Sequence, residues 1–342
     1  MGLELANLIG MARAAAKGKS RSPDVAAFML DPVPKLEALA RELEERRYAP
    51  GSARAFVIHE PKRRLIAALP FRDRVVQHLL IDASMPALER WFAPQSYACR
   101  TGKGTHRALR RAAELHRGFA WVLRIDLAKF FPSIDHDMLL GIIRPRTPCE
   151  LRWLAERIVR AGGPCEQVAL HFPGDDLLAP HQRPHGLPIG NLTSQVWANA
   201  MLTPVDHMLA SQLGLGTFVR YCDDILVYAD DRVRLERAWA RIEERCASLR
   251  LRLHPRKCRL HRTTEPVAFL GFVLQRVDAS VRVSLRAENV RSFRRRAGGL
   301  LQTRPLDASL VVACVRSWLA HARHGHTASL RHRELELLGL CD

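Results

Sequence analysis

Residues 218–228 read FVRYCDDILVY, a pair of aspartates between two short apolar runs that are rich in β-branched and aromatic residues. Such runs predict two strands, and the polar residues between them predict a tight connection. Carboxylates beside buried strands are costly unless a cation balances them. The stretch therefore predicts a strand-turn-strand unit that presents Asp223 and Asp224 to a divalent metal ion.

Context separates this pair from the two other Asp-Asp pairs of the chain. The pairs at 175–176 and 230–231 lie among polar or structure-breaking residues, which is typical of solvated loops. Asp126 is a better partner, because it directly follows the apolar run FAWVLRI of residues 119–125. That run predicts another strand, with Asp126 at its tip.

Three carboxylates at strand ends, far apart in sequence, fit the requirements of a two-metal site. Two ions about 3.5–4 Å apart activate an attacking hydroxyl and stabilise the leaving oxygen of a phosphoryl displacement. Mg²⁺ suits such carboxylate and phosphate coordination. The sequence thus predicts phosphoryl-transfer chemistry at Asp126, Asp223 and Asp224.

The chain is strongly basic. Its 342 residues include 53 Lys and Arg against 35 Asp and Glu, a formal net charge of +18. Such an excess attracts polyanions, with nucleic acid the first candidate and an anionic membrane surface the second. No apolar run approaches the roughly 20 residues that span a bilayer, and the N-terminus lacks a signal-peptide pattern. We therefore expect a cytoplasmic protein with no membrane partner.

The eight cysteines form no CxxC pair. The one close Cys and His grouping, His254, Cys258 and His261, has no second half to complete a zinc site. We expect reduced thiols and no structural zinc.

Hydrophobic periodicity predicts a mixed α+β chain. The predicted helices cover residues 34–43, 73–90, a segment from about 135, 191–213, 231–251 and most of 286–342. Predicted strands lie at 54–59, 65–69, 119–125, 267–273 and 281–285, besides the two around the Asp-Asp turn. A basic turn at 60–64 joins the first two strands.

Seven segments, in order along nearly the whole chain, resemble the reverse transcriptases. They are FVIHEPKRRLIAALPFRDRVV (56–76), SYACRTGKGTH (96–106), RIDLAKFFPSIDH (124–136), GLPIGNLTSQ (186–195), YCDD (221–224), LHPRK (253–257) and FLGF (269–272). Each segment alone is moderately specific, and the ordered set is very specific. The resemblance implies an RNA-directed DNA polymerase that copies a template RNA with dNTPs and holds an RNA–DNA hybrid.

This resemblance also implies an architecture. The α+β fold would be a right-hand polymerase with fingers, a palm built on a ferredoxin-like antiparallel sheet, and a helical thumb. We expect N-terminal helices and fingers in residues 1–118, and the palm in residues 119–285, with a fingers-like insertion at about 144–185. The helical, basic thumb would follow in residues 286–342.

The resemblance gives catalytic roles to four residues and a metal-binding role to a fifth. Asp126, Asp223 and Asp224 would hold two Mg²⁺ ions, with Mn²⁺ as an alternative metal and the backbone carbonyl of Leu127 as a further ligand. Lys257 would donate a proton to the leaving pyrophosphate. An ordinary surface lysine is the alternative interpretation of Lys257.

It also implies two binding regions. The nucleotide-binding residues would be Lys62, Arg64, Phe130, Phe131, Ile189, Gly190 and Gln195. The two basic residues would contact the triphosphate, and Phe131 would exclude a ribose 2′-hydroxyl; a solvated charge run and ordinary core packing are the alternatives. The primer grip would be Phe269, Leu270, Gly271 and Phe272, which a buried strand turn explains almost as well.

Within the family, three features are most similar to the reverse transcriptases of diversity-generating retroelements: the Ile-Gly-x-x-x-Ser-Gln form of residues 189–195, the compact length, and the SWLAHA of residues 317–322. In that subfamily the enzyme copies a template RNA with frequent errors opposite adenines, and the cDNA rewrites a variable gene, a process called mutagenic retrohoming. An accessory protein usually assists. Many reverse transcriptases carry Gln where this chain has Ile189, so the lost hydrogen-bonding group predicts poorer nucleotide discrimination.

Two alternatives stay open. One is another bacterial reverse transcriptase, of phage-defence, retron-like or CRISPR-associated type. The other is a non-catalytic RNA-binding protein that keeps the fold.

Overall fold

The structure is a computed structural model, and it describes residues 4–19, 22–59, 63–303 and 308–339. Lys62, one of the predicted nucleotide-binding residues, lies outside the described residues. The helices are α1 (Leu5–Ala16), α2 (Pro23–Leu30), α3 (Pro32–Glu44), α4 (Phe71–Trp91), α5 (Thr105–Gly118), α6 (Phe130–Ser133), α7 (His136–Ile143), α8 (Arg152–Ala161), α9 (Ala179–Gln182), α10 (Leu192–Met201), α11 (Thr203–His207), α12 (Arg232–Ser248), α13 (Ala287–Thr303), α14 (Ala308–Ala322) and α15 (Ala328–Glu336).

The strands form three antiparallel sheets. They are β1 (Arg54–Ile58), β2 (Arg64–Ala68), β3 (Trp121–Ile125), β4 (Phe218–Tyr221), β5 (Asp224–Ala229), β6 (Arg259–Arg262), β7 (Val267–Phe269), β8 (Phe272–Val277) and β9 (Ser280–Leu285). The prediction of a mixed α+β chain is confirmed.

The central sheet has four strands in the order β4-β5-β3-β6. Helices α6 to α11 connect β3 to β4, and α12 connects β5 to β6, so the connectivity is the β-α-β-β-α-β pattern of ferredoxin-like sheets. Helix α12 begins where the Asp231 side chain accepts a hydrogen bond from the Val233 amide at 2.9 Å, a typical N-cap.

Each face of the central sheet packs on its own core, because successive side chains of a strand point to opposite faces. Leu123 and Ile225 belong to a large core that includes the N-terminal helices, α10 and α12. Val122 and Leu226 belong to a second core, made with α5, the β7-β8-β9 sheet and the C-terminal helices. The sheet is therefore buried on both sides, and its functional surface is the end at which β3 stops.

The register of the β1-β2 hairpin runs from Arg54 opposite Ala68 to Ile58 opposite Arg64, and residues 60–62 of the predicted basic turn lie outside the described residues. At the other end of the chain, α13 and α14 pack through Phe293 and Trp318, whose rings stack at 4.1 Å. No helix in the described ranges is both long and apolar enough to cross a bilayer.

Two of the predicted elements are corrected by the structure. In place of the single helix predicted over 191–213, the structure has α10, α11 and a π-helical turn, Met208–Gln212. Pro204, near the start of α11, has no backbone N–H and so cannot donate the hydrogen bond that a continuous helix needs. The strand predicted over 267–273 is a hairpin of β7 and β8, which turns at Leu270 and Gly271, with φ of +50° and +86°.

Candidate active site

The two aspartates of the central hairpin lie at its turn. Tyr221 pairs with Asp224 across the β4 and β5 strands, so Cys222 and Asp223 form a two-residue connection. Cys222 has φ of +52°, a conformation that non-glycine residues seldom adopt and that tight hairpin turns require. The predicted strand-turn-strand unit is present.

Asp126 follows the last residue of β3 and is held through its backbone. Its carbonyl accepts hydrogen bonds from the His254 amide at 2.8 Å and from the Cys258 thiol at 3.3 Å. Its amide donates to the Cys258 sulfur at 3.5 Å. The carboxylate is thus fixed at the strand tip by the segment that leads into β6.

The same segment brings a cation to Asp126. Lys257 Nζ lies 2.9 Å from Asp126 Oδ1, although 131 positions separate the two residues in sequence. The Lys257 side chain remains 43% exposed. The structure therefore places the predicted general acid directly beside the first predicted metal ligand.

Electrostatics link the three carboxylates. Burial, together with the negative charges of Asp223 and Asp126, raises the pKa of Asp224 from its ordinary 3.8 to about 6. Arg124 and Lys257 act in the opposite direction, with an Arg124 nitrogen 4.0 Å from Asp224 Oδ1. The site thus concentrates more negative charge than its own cations neutralise.

The donor chemistry fits Mg²⁺, which prefers carboxylate oxygens. Within residues 4–19, 22–59, 63–303 and 308–339, no three His, Cys, Asp or Glu side chains converge closely enough to hold a metal ion as they stand. Asp126 is paired with Lys257 instead. The contact uses one of the two Asp126 carboxylate oxygens.

Leu127 forms an isolated antiparallel bridge with Leu253. The hydrogen bonds of this bridge use the carbonyl of Asp126 and the amide of Ala128, which donates to the Arg252 carbonyl at 2.8 Å. The bridge therefore does not consume the Leu127 carbonyl, the predicted further oxygen ligand.

The two phenylalanines after β3 have different environments. Phe130 is buried in the large core, whereas Phe131 is half-buried beside it, with the ring centroids 5.7 Å apart. The Phe131 carbonyl accepts a hydrogen bond from the Leu187 amide at 2.9 Å. Core packing thus accounts for Phe130, and Phe131 is the accessible one of the pair.

The segment before α10 docks on the β1-β2 hairpin. The Ala67 amide donates to the Ile189 carbonyl at 2.9 Å, and Gly190 follows with φ of +118°. A Cβ at position 190 would lie 3.0 Å from the Ala67 carbonyl oxygen and 3.1 Å from Ile66 Cγ2. Glycine is required here for close backbone approach.

The structure places other predicted nucleotide-binding residues around this contact. Ile189 is half-buried, and Arg64 is exposed at the start of β2. Gln195 is exposed on the first turns of α10, where its Oε1 accepts a hydrogen bond from the Cys99 thiol at 3.7 Å.

The predicted primer-grip residues lie on a different sheet. Phe269 and Phe272 are buried in the second core, so they anchor the β7-β8 hairpin, and Leu270 and Gly271 form its turn. The Gly271 carbonyl accepts from the Arg286 amide at 3.1 Å. Of these four residues, the two turn residues are the accessible ones.

Sequence reasoning missed Arg124 and Arg220. Both were visible as lone charges within apolar strands, which is the signal that could have found them. Arg124 faces Asp224, as described above. Arg220 is fully buried and donates to Asp206 from Nε at 2.7 Å and from a terminal nitrogen at 2.5 Å, and to Asn199 Oδ1 at 2.8 Å.

Comparison with known proteins connects this geometry to a family. Residues 58–274 match the family described as reverse transcriptase (RNA-dependent DNA polymerase). Protein YkfC of Escherichia coli is 27% identical over 289 residues, covering 71% of each chain.

Two further relatives are longer proteins. The retron Mx65 reverse transcriptase of Myxococcus xanthus is 26% identical over 266 residues, which cover 72% of this chain and 56% of that protein. A putative COX1/OXI3 intron 1 protein of Saccharomyces cerevisiae is 25% identical over 191 residues, 53% of this chain and 21% of that protein. The chain thus spans about half the length of the retron relative and about a fifth of the intron protein.

Proposed function

Because this chain belongs to the reverse transcriptase (RNA-dependent DNA polymerase) family, we propose that the carboxylates at the ends of β3 and β4 form its polymerase active site. The chain is a reverse transcriptase, an RNA-directed DNA polymerase. One observation carries the assignment of the site. The β3-β5 and β4-β5 pairings bring Asp126 and the Asp223-Asp224 turn to one end of the central sheet, and burial, followed by the charges of Asp223 and Asp126, raises the pKa of Asp224.

In this proposal Asp126, Asp223 and Asp224 hold two Mg²⁺ ions, with Mn²⁺ as an alternative and the Leu127 carbonyl as a further ligand. The bound ions supply Lewis-acid stabilisation of the attacking and leaving oxygens. Arg124 offsets part of the carboxylate repulsion without occupying the site, because its nitrogen stays 4.0 Å from Asp224.

Lys257 serves as the general acid for the leaving pyrophosphate. Its ammonium group is already positioned within 2.9 Å of an Asp126 oxygen, and its exposed side chain can turn from the carboxylate to a phosphate oxygen. A positioned proton donor contributes typically 10²- to 10⁴-fold to such a step.

The incoming dNTP lies between the β1-β2 hairpin and the end of β3. Arg64 on the hairpin contacts the triphosphate, together with Lys62. Phe131 packs under the sugar, with Phe130 as its support in the core. Ile189 and Gly190 line the base, because they belong to the segment docked on the hairpin, and Gln195, which follows in α10, lines the template side.

We further propose the three lobes of a right-hand polymerase. Residues 1–118 form the N-terminal helices and fingers, residues 119–285 the palm with its insertion at about 144–185, and residues 286–342 the thumb. The Leu270 and Gly271 turn, held by buried Phe269 and Phe272, forms the primer grip at the border of palm and thumb.

Primer extension on an RNA template tests the site. We expect Asp223→Asn to lower extension by at least about 10²- to 10³-fold, since an electrostatic group aimed at the transition state is lost. Asp176→Asn is the matched control, because Asp176 is the exposed member of another Asp-Asp pair, and this variant should extend like the unmodified chain. Equal activity of the two variants would contradict the assignment.

At the finer level, the enzyme is the error-prone reverse transcriptase of a diversity-generating retroelement, working with an accessory protein. The supporting observation is apolar Ile189 next to Gly190, where a hydrogen-bonding Gln would help fix the geometry of the incoming nucleotide. Sequencing the cDNA should show errors concentrated opposite template adenines, and Ile189→Gln should reduce them. An even error spectrum that Ile189→Gln leaves unchanged would refute this subtype.

A retron-type reverse transcriptase is the second candidate, favoured by the match of 72% of this chain to the retron Mx65 enzyme. For that type we expect no excess of errors opposite adenine. The same cDNA sequencing therefore separates the two candidates.

A further inference from the structure

A cavity lies between the end of α8 and the start of α10. Its volume is about 360 Å³, which is within the range of small-molecule binding sites. Large apolar side chains from four parts of the chain form its walls, among them Tyr48, Leu69, Val159 and Trp197. Its exposed lining residues, which mark the opening to solvent, include Gly51, Ser52 and Gly163.

The start of α10 supplies polar side chains to this cavity. Asn191, Thr193 and Ser194 line it, with exposures of only 5%, 1% and 2%. Within the part of the chain that the structure describes, none of these three side chains makes a hydrogen bond. Asn191 even occupies the N-cap position without capping the helix, although Asn is favoured there because its side chain normally accepts from a helix amide. Buried polar groups are normally paired, so these groups need a partner that the chain itself does not provide.

The backbone at the same helix end adds further donors. The first amides of a helix have no partner inside the helix and need an outside acceptor. The Leu192 amide finds one in Gln77 Oε1, at 3.1 Å. The amides of Thr193 and Ser194 have none among the described residues. The cavity therefore has a surplus of donors and suits a ligand that presents acceptor oxygens.

The charge of the cavity limits what this ligand can be. Among the described residues that line it, Asp73 has the only charged side chain. The Asp73 carboxylate accepts hydrogen bonds from the Tyr48 hydroxyl and the Gly51 amide, both at 2.9 Å. No lysine or arginine of that lining is present to offset the negative charge, so a phosphate or carboxylate ligand is repelled. The acceptor oxygens must belong to a neutral molecule.

We propose that this cavity binds one neutral nucleobase, whose ring carbonyl oxygens accept hydrogen bonds from the start of α10, as those of uracil can. The apolar walls suit the faces of a flat ring, and the Asn191 amide offers a donor and an acceptor side by side, as in side-chain recognition of base edges. A nucleobase is also the neutral heterocycle that a nucleic-acid polymerase meets. The cavity shares no residue with the proposed metal and nucleotide sites, so its occupancy does not depend on the proposed function.

An occupant would contact the segment that docks on β2. Pro188 and Asn191 line the cavity, and they flank Ile189 and Gly190, which make the contact with the β1-β2 hairpin. A ligand that binds only the folded chain raises its stability. We therefore expect the bound base to stabilise this docked segment.

Isothermal titration calorimetry of the full-length chain with uridine, in metal-free buffer, tests the proposal. We expect saturable binding with a Kd below about 1 mM. Ser194→Ala and Asn191→Leu should each weaken it about 2- to 12-fold, the effect of one lost hydrogen bond. Ser248→Ala is the matched control on the exposed surface of α12 and should bind uridine like the unmodified chain. Uridine monophosphate should bind no more tightly than uridine, because no cation lines the described cavity.

A Kd for uridine weaker than about 1 mM would overturn the proposal. So would tighter binding of uridine monophosphate, or an unchanged Kd in the folded Ser194→Ala and Asn191→Leu variants. Far-UV circular dichroism checks the fold, and if one variant does not fold, the other decides. Loss of primer extension with uridine binding intact would contradict the proposed function and leave the cavity assignment standing.

Photocrosslinking identifies the source of the base. Single-stranded RNA that carries 4-thiouridine is irradiated with the chain, and the linked peptides are sequenced. A crosslink within residues 187–197 would show that the base comes from an unpaired RNA nucleotide. Uridine binding without that crosslink would show that the ligand is a free nucleoside, and either result upholds a nucleobase site.

Discussion

Two charges of the β4-β5 hairpin are treated in opposite ways. Arg220 is fully buried, and Asp206 and Asn199 satisfy its guanidinium with hydrogen bonds of 2.5–2.8 Å. Four positions later, Asp224 faces Arg124 at 4.0 Å and is repelled by two other carboxylates. A charge that the fold neutralises specifies structure, and a charge that the fold leaves in excess marks a place where a cation from solution can bind.

Removing Arg220, the neutralised charge, should have the largest effect on the free energy of unfolding. Arg220→Met leaves Asp206 buried without its cation, so we expect a loss of about 3–5 kcal/mol in the free energy of unfolding. Denaturant unfolding measures it. Arg232→Met removes an exposed ion pair with Glu236 and should cost at most about 1 kcal/mol. A loss for Arg220→Met no larger than for Arg232→Met would contradict the comparison.

His116 extends the comparison to a group that is buried neutral. It lies on the buried face of α5, with Nε2 2.8 Å from the Thr263 carbonyl oxygen, and burial lowers its pKa from 6.5 to about 4. The unfolded chain takes up a proton on His116 near pH 6.5, whereas the folded chain does so only near pH 4. The folded state is therefore fully stable with respect to this group above about pH 6.5 and loses stability as the pH falls toward 4. The expected loss is about 3 kcal/mol, from about 1.36 kcal/mol per pKa unit.

Urea unfolding between pH 7 and pH 4 measures this slope. In His116→Gln the slope over this range should flatten, whatever the absolute stability of the variant. The exposed His332→Gln serves as the control and should keep the slope. An unchanged slope in His116→Gln would assign the acid sensitivity to other groups.

Asp224 should change the free energy of unfolding with pH in the opposite direction. Its pKa is raised, from 3.8 to about 6, so its charge destabilises the fold fully above pH 6 and not at all below about pH 3.8. The side chain is 33% exposed, and solvent screening reduces the cost at pH 7 to about 1–2 kcal/mol. We therefore expect Asp224→Asn to be more stable than the unmodified chain by this amount in metal-free buffer at pH 7.

Magnesium provides the check on this interpretation. Thermal unfolding with and without Mg²⁺ should show stabilisation of the unmodified chain and a smaller stabilisation of Asp224→Asn, because binding to the folded state raises its stability. Asp176→Asn is the control for a change of Asp to Asn as such. A destabilised Asp224→Asn in metal-free buffer would show that the carboxylate is already neutralised.

Lys257 should show the smallest effect on stability. Its ion pair with Asp126 is partly exposed, so Lys257→Met should cost less than about 1 kcal/mol. Extension should nevertheless fall by about 10²-fold or more, because the proton donor is lost. Lys257→Arg keeps the charge but releases its proton poorly and should also be slow, whereas the exposed neighbour Arg256→Met should extend normally. Normal extension by Lys257→Met would remove the general-acid role.

The strands and the turn of the site could be predicted from the sequence, because local periodicity and strand ends depend on nearby residues. The β3 tip at Asp126 and the Asp-Asp hairpin are examples. The partners of Arg220 could not be predicted in this way. Its charge was visible in an apolar strand, but Asp206 and Asn199 come from helices whose packing against β4 is decided by the whole core.

The same limit applies to contacts between distant segments. Ser96 and Arg220 are joined by a parallel bridge that no local pattern encodes. The break of the predicted helix over 191–213 is a different kind of failure. Pro204 was visible in the sequence, and the apolar spacing on either side of it outweighed the missing backbone donor.

The close approach of Gly190 to β2 also limits how fidelity can be engineered. Any side chain at position 190 meets the Ala67 carbonyl and Ile66, and its positive φ strains every residue except glycine. Ile189 carries its half-exposed side chain on the same segment without these restraints. A library built to test the proposed role of this segment in nucleotide selectivity should therefore vary position 189 and keep glycine at position 190, since other residues at 190 would disturb the contact with β2.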